Sequence, residues 1–112
     1  MRLLEPLDEF HYHSRLLAQG GTALVLFSSP ACGTCRVVER RLPESAPPGS
    51  HLFKVDVQRA TGLARAFEIF HLPTLLLYRE GHFHAVLNCE ISPAALRAAI
   101  RAALAQPAEE EP

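Results

Sequence analysis

Two cysteines separated by two small residues, Cys32-Gly33-Thr34-Cys35, carry the most chemistry in this 112-residue chain. Such a pair admits three roles: part of a metal site, a structural disulfide, or a working thiol–disulfide couple. The surrounding residues discriminate among them. Pro30 holds the chain extended just before a helix that should begin near Cys32. A cysteine at a helix start faces unsatisfied backbone N–H groups and the positive end of the helix dipole, so the Cys32 thiol is expected to ionise more readily than a free one. Cys35, Val38 and Leu42 then recur at i, i+3 and i+7 on one apolar stripe, which turns Cys35 inward. Arg36, Arg40 and Arg41 fall largely off that stripe. The result is an exposed attacker with a shielded resolver one turn away, the pairing that disulfide exchange needs.

The other two roles fit less well. Structural zinc takes four ligands, and a C-x-x-C usually comes with a second pair. Here Cys89 stands alone far downstream. His82 and His84 sit at i, i+2 on one expected strand, where two solvated histidines need no metal. No metal site is therefore expected. An odd count of three cysteines suits a disulfide framework poorly, and stapling is rare in a reducing compartment. The thiol–disulfide couple is the reading the residues favour, and the Cys32–Cys35 disulfide would itself carry the electrons with no further cofactor.

The rest of the chain must position that pair. Residues 7–19 place Leu7, Phe10, Ser14 and Leu17 near helical spacing before Gly20-Gly21, an amphipathic helix with a glycine stop. ALVLF at 23–27 is a short uncharged run suited to a strand covered on both faces. Pro43 and the following PESAPPGS loop should end or kink the second helix. HLFKVDV at 51–57 reads as a strand, residues 62–68 as a helix and TLLLY at 74–78 as another buried strand. Glu80-Gly81 makes a tight turn into HFHAVL at 82–87, whose alternation suggests a half-exposed antiparallel partner. Ser92 as N-cap and Pro93 at the first helical position open a last helix, with Leu96, Ile100, Ala103 and Leu104 as its buried stripe. A short strand at residues 2–4 completes the order. Strands joined through helices imply an α/β domain: a central mixed, mostly parallel sheet flanked by helices on both faces. One domain over residues 1–106 and a disordered acidic tail over 107–112 are expected.

Composition sets outer limits. Apolar residues make up 48% and charged residues 21%, ordinary for a soluble domain. A net charge of −1 gives no broad basic surface for nucleic acid or anionic lipid. No run reaches the ~18 apolar residues of a membrane span. The start, MRLLEPLDEF, interrupts its apolar residues with Glu5, Pro6 and Asp8, unlike a secretory signal, so a cytoplasmic address is expected.

The wider pattern is specific. CGTC at 32–35 on a strand-to-helix junction, FKVDV downstream, IFHLPT at 69–74 and the tight turn at Gly81 together resemble the thioredoxin family. The resemblance spans residues 3–105 and implies a thioredoxin fold and protein-disulfide oxidoreductase activity. Its partners would be protein disulfides and an upstream reductase or thiol reductant. It implies that Cys32 attacks, that Cys35 resolves and that Pro73 follows a cis peptide bond. A proline has no N–H to block a groove, so the Leu72 backbone could pair with an extended substrate lying across Cys32, with Gly33, Thr34 and Thr74 framing the contact. A strand-initiating proline is the plainer alternative.

Several positions depart from the family pattern. Ala31 and Ser28 stand where aromatics are usual and remove flat apolar surface around the attacking sulfur. Leu26 replaces a buried aspartate that exchanges protons with the resolving cysteine; leucine cannot. Lys54 matches the lysine near that carboxylate and either favours a Cys35 thiolate or snorkels to solvent. His71 could act as a substitute base or simply lie exposed. Cys89 takes a glycine's place in a loop bordering the groove, as a second redox thiol or an inert one. A thioredoxin-fold adaptor with vestigial chemistry is the alternative these departures support.

Overall fold

The computed structural model describes residues 3–112. Its elements are β1 (Glu5–Pro6), α1 (Tyr12–Gln19), β2 (Thr22–Ser28), α2 (Gly33–Ser45), β3 (His51–Asp56), α3 (Thr61–Ala66), β4 (Thr74–Arg79), β5 (His82–Leu87) and α4 (Pro93–Leu104). They build one five-stranded sheet in the order β1-β3-β2-β4-β5. β2 is central and buried along nearly its whole length, as its uncharged sequence requires.

Alternation along the strands divides the core in two. Val25, Phe27, Phe53, Val55, Leu76 and Tyr78 face α1 and α3, together with Tyr12, Leu16, Leu63 and Phe67. Leu24, Leu26, Leu52, Leu75 and Leu77 face α2 and α4, together with Leu42, Leu96 and Ile100. On the first side the Tyr12 and Tyr78 hydroxyls meet at 2.9 Å. Burial pushes both phenols above the ordinary tyrosine range, so both stay neutral and pair as hydroxyls.

The sheet is mixed, but less parallel than its helix-linked strands suggest. β1 and β2 both run parallel to β3, while β4 is antiparallel to β2 and β5 antiparallel to β4. The helix after β3 is short. A helix of 6 residues rises about 9 Å at 1.5 Å per residue, whereas six strand residues span about 20 Å. α3 alone does not recross the sheet, and β4 starts at the end where β2 and β3 finish. Thr74 pairs with Phe27 as a result, which brings the residues just before β4 to the start of α2.

Three other expectations are corrected. The first helix begins at Tyr12 rather than near residue 7, with His11 in the capping position. Its buried stripe is Tyr12 and Leu16, not Phe10, Ser14 and Leu17; Phe10 is 86% exposed. The early strand lies at Glu5–Pro6 rather than 2–4, and residue 2 is outside the described residues. A register irregularity opposite Leu77 and Tyr78 breaks the alternation of β5, so Phe83, His84 and Ala85 are buried in succession. His84 and His82 therefore do not share a solvated face. The His84 Nε2 lies 2.7 Å from the Ala103 carbonyl and 3.1 Å from that of Gln106, satisfying acceptors left open at the end of α4.

The remaining ends follow local chemistry. Ser92 Oγ accepts the Ala95 N–H at the start of α4, where Pro93 holds the first helical position. α2 passes through Pro43 and stops two residues later. Glu80 and Gly81 both take positive φ, 52° and 81°, as a two-residue hairpin loop requires. Residues 107–112, expected as a disordered tail, are all exposed yet bonded to the body. The Glu109 N–H donates to His84 O at 2.7 Å, and the Glu111 carboxylate accepts from Tyr78 OH and lies 2.7 Å from His13 Nε2.

Candidate active site

The cysteine turn and the residues before β4 gather at the end of the sheet where β2 and β3 finish and β4 begins. The approach to α2 is held by Ser29. Its carbonyl accepts the Cys32 N–H at 3.0 Å, and its hydroxyl accepts the Ala31 N–H at 3.2 Å and the Gln58 side chain at 3.1 Å. Arg36 donates back to the Pro30 carbonyl at 3.0 Å. This bracing delivers Cys32 as the N-cap of α2 in an extended conformation, φ −98°, ψ 110°. Its Sγ accepts the Cys35 N–H at 3.2 Å, with the Thr34 hydroxyl at 3.3 Å. These are the groups that stabilise negative charge on that sulfur once the bond is reduced.

Cys32 and Cys35 are joined as a disulfide, with Cα atoms 5.3 Å apart. Their environments differ as the helical spacing requires. Cys32 is half-buried, Cys35 is fully buried among the residues under α2, and Gly33 and Thr34 between them are exposed.

Leu72, Pro73 and Thr74 are half-buried beside this turn, and the Leu72–Pro73 peptide is cis. The Thr74 hydroxyl donates to the His71 carbonyl at 2.5 Å, fixing the bend into β4. His71 itself is exposed, and neighbouring Phe70 is 80% exposed. Leu26, fully buried, lines a groove of about 330 Å³ together with Val38, Pro73, Leu75, Asn88 and Cys89. The structure thus brings Leu26, Pro73 and Cys89 to one groove. Lys54, though in register with Leu26 on β3, lines a different cavity.

That cavity, about 630 Å³ and the larger of the two, flanks the cysteine turn rather than containing it. Ser28, Arg36, Glu39, Lys54, Asp56 and Arg59 are among its lining residues. The Ser28 hydroxyl, buried, donates to Glu39 Oε1 at 2.9 Å. Sequence reasoning missed Ser29 and Glu39. A serine pair before the cysteines was the signal for the first. For the second the signal was a carboxylate four residues after Cys35 on a stripe otherwise apolar.

Cys89 is half-buried and packs against the α2–α4 side of the core, and burial raises its thiol above the usual range. Iodoacetamide should therefore label Cys89 more slowly than a cysteine in the unfolded chain. The labelling rate should still be climbing at pH values where the unfolded chain's has levelled off. Mass-spectrometric labelling of oxidised protein, in which Cys89 is the free thiol, measures this directly; labelling as fast as in the unfolded chain would contradict it.

No helix among the described residues is long and apolar enough to cross a membrane. Nor does any group of three or more His, Cys, Asp or Glu among them stand close enough to hold a metal ion.

The family model for thioredoxin matches residues 4–102. Thioredoxin-1 of Saccharomyces cerevisiae is 30% identical over 88 residues, covering 77% of this chain and 84% of that protein. Thioredoxin of Staphylococcus saprophyticus is 32% identical over 66 residues, 56% of this chain and 64% of that one. Thioredoxin-2 of Pyricularia oryzae is 35% identical over 60 residues, 52% of this chain but only 35% of its own length. This chain thus spans less than two thirds of the latter two relatives. Among solved structures, oxidised mitochondrial thioredoxin 3 of S. cerevisiae superposes with a TM-score of 0.73 at 23% identity, covering 88% of this chain and 94% of that one. With the family model matching nearly end to end and the cysteine turn at the head of α2, this chain belongs to the thioredoxin family.

Proposed function

We propose that the chain is a protein-disulfide oxidoreductase working through a mixed disulfide. The observation that carries this reading is the asymmetry of the Cys32–Cys35 pair, one sulfur half-buried at a helix N-terminus and the other fully buried beneath it. In the reduced pair, the Cys32 thiolate attacks one sulfur of a substrate disulfide. A Cys32–substrate S–S bond forms, and the first substrate thiolate leaves. Cys35, deprotonated, then attacks Cys32 Sγ; the mixed disulfide breaks, the second substrate thiolate leaves, and the Cys32–Cys35 bond closes. The substrate gains two electrons and the pair loses them, so a reductase or small thiol must return them.

Gly33 and Thr34 leave room for a bulky partner, and the Leu72 backbone before Pro73 pairs with an extended substrate strand that Thr74 borders. Leu26, Lys54, His71 and Cys89 modulate the cysteines rather than react. No cofactor beyond the disulfide is required, and neither nucleic acid nor membrane is a partner. The odd, half-buried Cys89 suits a reducing, cytoplasmic setting and a part in cellular redox homeostasis.

A binding module with vestigial chemistry is the competing reading, favoured by Leu26, Ser28 and Ala31. Dithiol-driven insulin reduction separates the two. The oxidoreductase accelerates insulin precipitation well beyond dithiol alone. An inert protein whose Cys32–Cys35 bond nonetheless reduces and reoxidises would be the adaptor.

A further inference from the structure

A buried thiol cannot displace a disulfide until its proton has gone somewhere. Cys35 is fully buried, and Leu26, Leu42 and Leu75 on that side of the sheet offer no exchangeable site. α2 supplies one. Glu39 lies four residues beyond Cys35, and side chains at i and i+4 share a helix face with Cβ atoms about 5–6 Å apart. Glu39 is only half-buried, and its Oε1 is held at 2.9 Å by the hydroxyl of buried Ser28, the last residue of β2. Both line the 630 Å³ cavity, which is open to solvent, so a proton collected by Glu39 has an exit. The other charged groups facing that cavity are Arg36 of α2, Lys54 and Asp56 of β3, Arg59 after β3, and Asp8 and Glu9 between β1 and α1.

Resting on the oxidoreductase reading, we propose that Glu39 is the proton acceptor for Cys35 during resolution and that Ser28 is its positioning residue. The Cys35 S–H bond breaks, and the proton passes to the Glu39 carboxylate, directly or relayed by a water. The Cys35 thiolate uses the freed electron pair to form the bond to Cys32. The Cys32–substrate bond breaks, its electron pair leaving on the substrate sulfur, and Glu39 returns its proton to solvent through the cavity. Lys54 and Arg36 place positive charge along the same wall.

The test is a single-turnover reaction of the reduced full chain with an aryl disulfide, whose two thiolates are released in succession. Glu39→Gln is expected to slow the second release about 10–100-fold at pH 7, within the range general-base catalysis supplies. The first release stays at the wild-type rate, and the deficit narrows as pH rises and hydroxide takes the proton. Ser28→Ala, which leaves the carboxylate in place, slows the second release less than Glu39→Gln. A purely structural tether predicts the reverse, because glutamine's amide oxygen accepts the Ser28 hydroxyl as well as the carboxylate does. A wild-type second phase in Glu39→Gln, or equal slowing of both phases, overturns the proposal. Should Glu39→Gln lose its cooperative melt, Glu39→Asp gives the same reading, with a several-fold slower second phase expected and an unchanged one contradictory. A wild type that never releases the first thiolate would instead remove the oxidoreductase reading itself.

Discussion

Cys32→Ser is expected to abolish insulin reduction, and Cys35→Ser to turn the protein into a trap that stays covalently attached to its substrate. The two outcomes differ because the sulfurs occupy different places. Cys32 is the half-buried member, with the Cys35 N–H and the Thr34 hydroxyl directed at its Sγ. A serine hydroxyl there stays protonated at neutral pH and cannot attack a disulfide, so turnover falls to the background of dithiol alone. Cys35 is fully buried under α2 and out of a protein substrate's reach, so its loss leaves the first attack intact. The mixed disulfide then has no internal resolver, and only added thiol releases it. Non-reducing electrophoresis after mixing with a disulfide-bonded protein reads both results, with Cys89→Ser as background so that one thiol alone can form the adduct. Adducts forming in Cys32→Ser and not in Cys35→Ser would reverse the roles. The trapped partners would also identify the substrates.

The site was legible in the sequence where its signals are local. A C-x-x-C after an extended proline, a serine–proline pair opening α4 and Glu80-Gly81 in the hairpin loop each fix a few residues by sterics or hydrogen bonding alone. What could not be read depends on distant chain. Phe10 is apolar at helical spacing, yet the helix starts after it, because Tyr12 and Leu16 find the better partners in Phe67 and Tyr78. His84 looked solvated until the end of α4 supplied carbonyls for its ring. The direction of β4 depends on where the whole connection after β3 delivers the chain, which no local signal fixes. Glu39 was passed over because its role needs Ser28, which is close in space only once β2 and α2 have packed. Residues acting through backbone conformation are visible early; those acting through a partner across the fold are not.

Leu26→Asp tests how much stability the fold draws from an apolar residue at a position suited to proton transfer. Leu26 is fully buried and clusters with Leu24, Leu42, Leu75 and Leu96. Removing its methyls forfeits burial and packing, and a carboxyl in their place is poorly solvated. Together these cost about 3–5 kcal/mol, a large share of the roughly 5–15 kcal/mol that holds a domain folded. The loss should depend on pH in a definite direction. Burial raises the new carboxyl's pKa in the folded state above the unfolded value of about 3.9. The folded state then binds the proton more tightly, so the variant lies nearest to wild type below about pH 4 and loses stability as pH climbs through the raised value. Denaturant melts at pH 4 and pH 7 measure that difference; equal losses at both would mean that solvent already reaches the position. Resolution by Cys35 should meanwhile quicken several-fold at neutral pH, since the new carboxylate adds a base on the face of the sheet that α2 covers. A destabilised variant with an unchanged second-phase rate would show that another group, Glu39 first among them, already takes the proton fast enough.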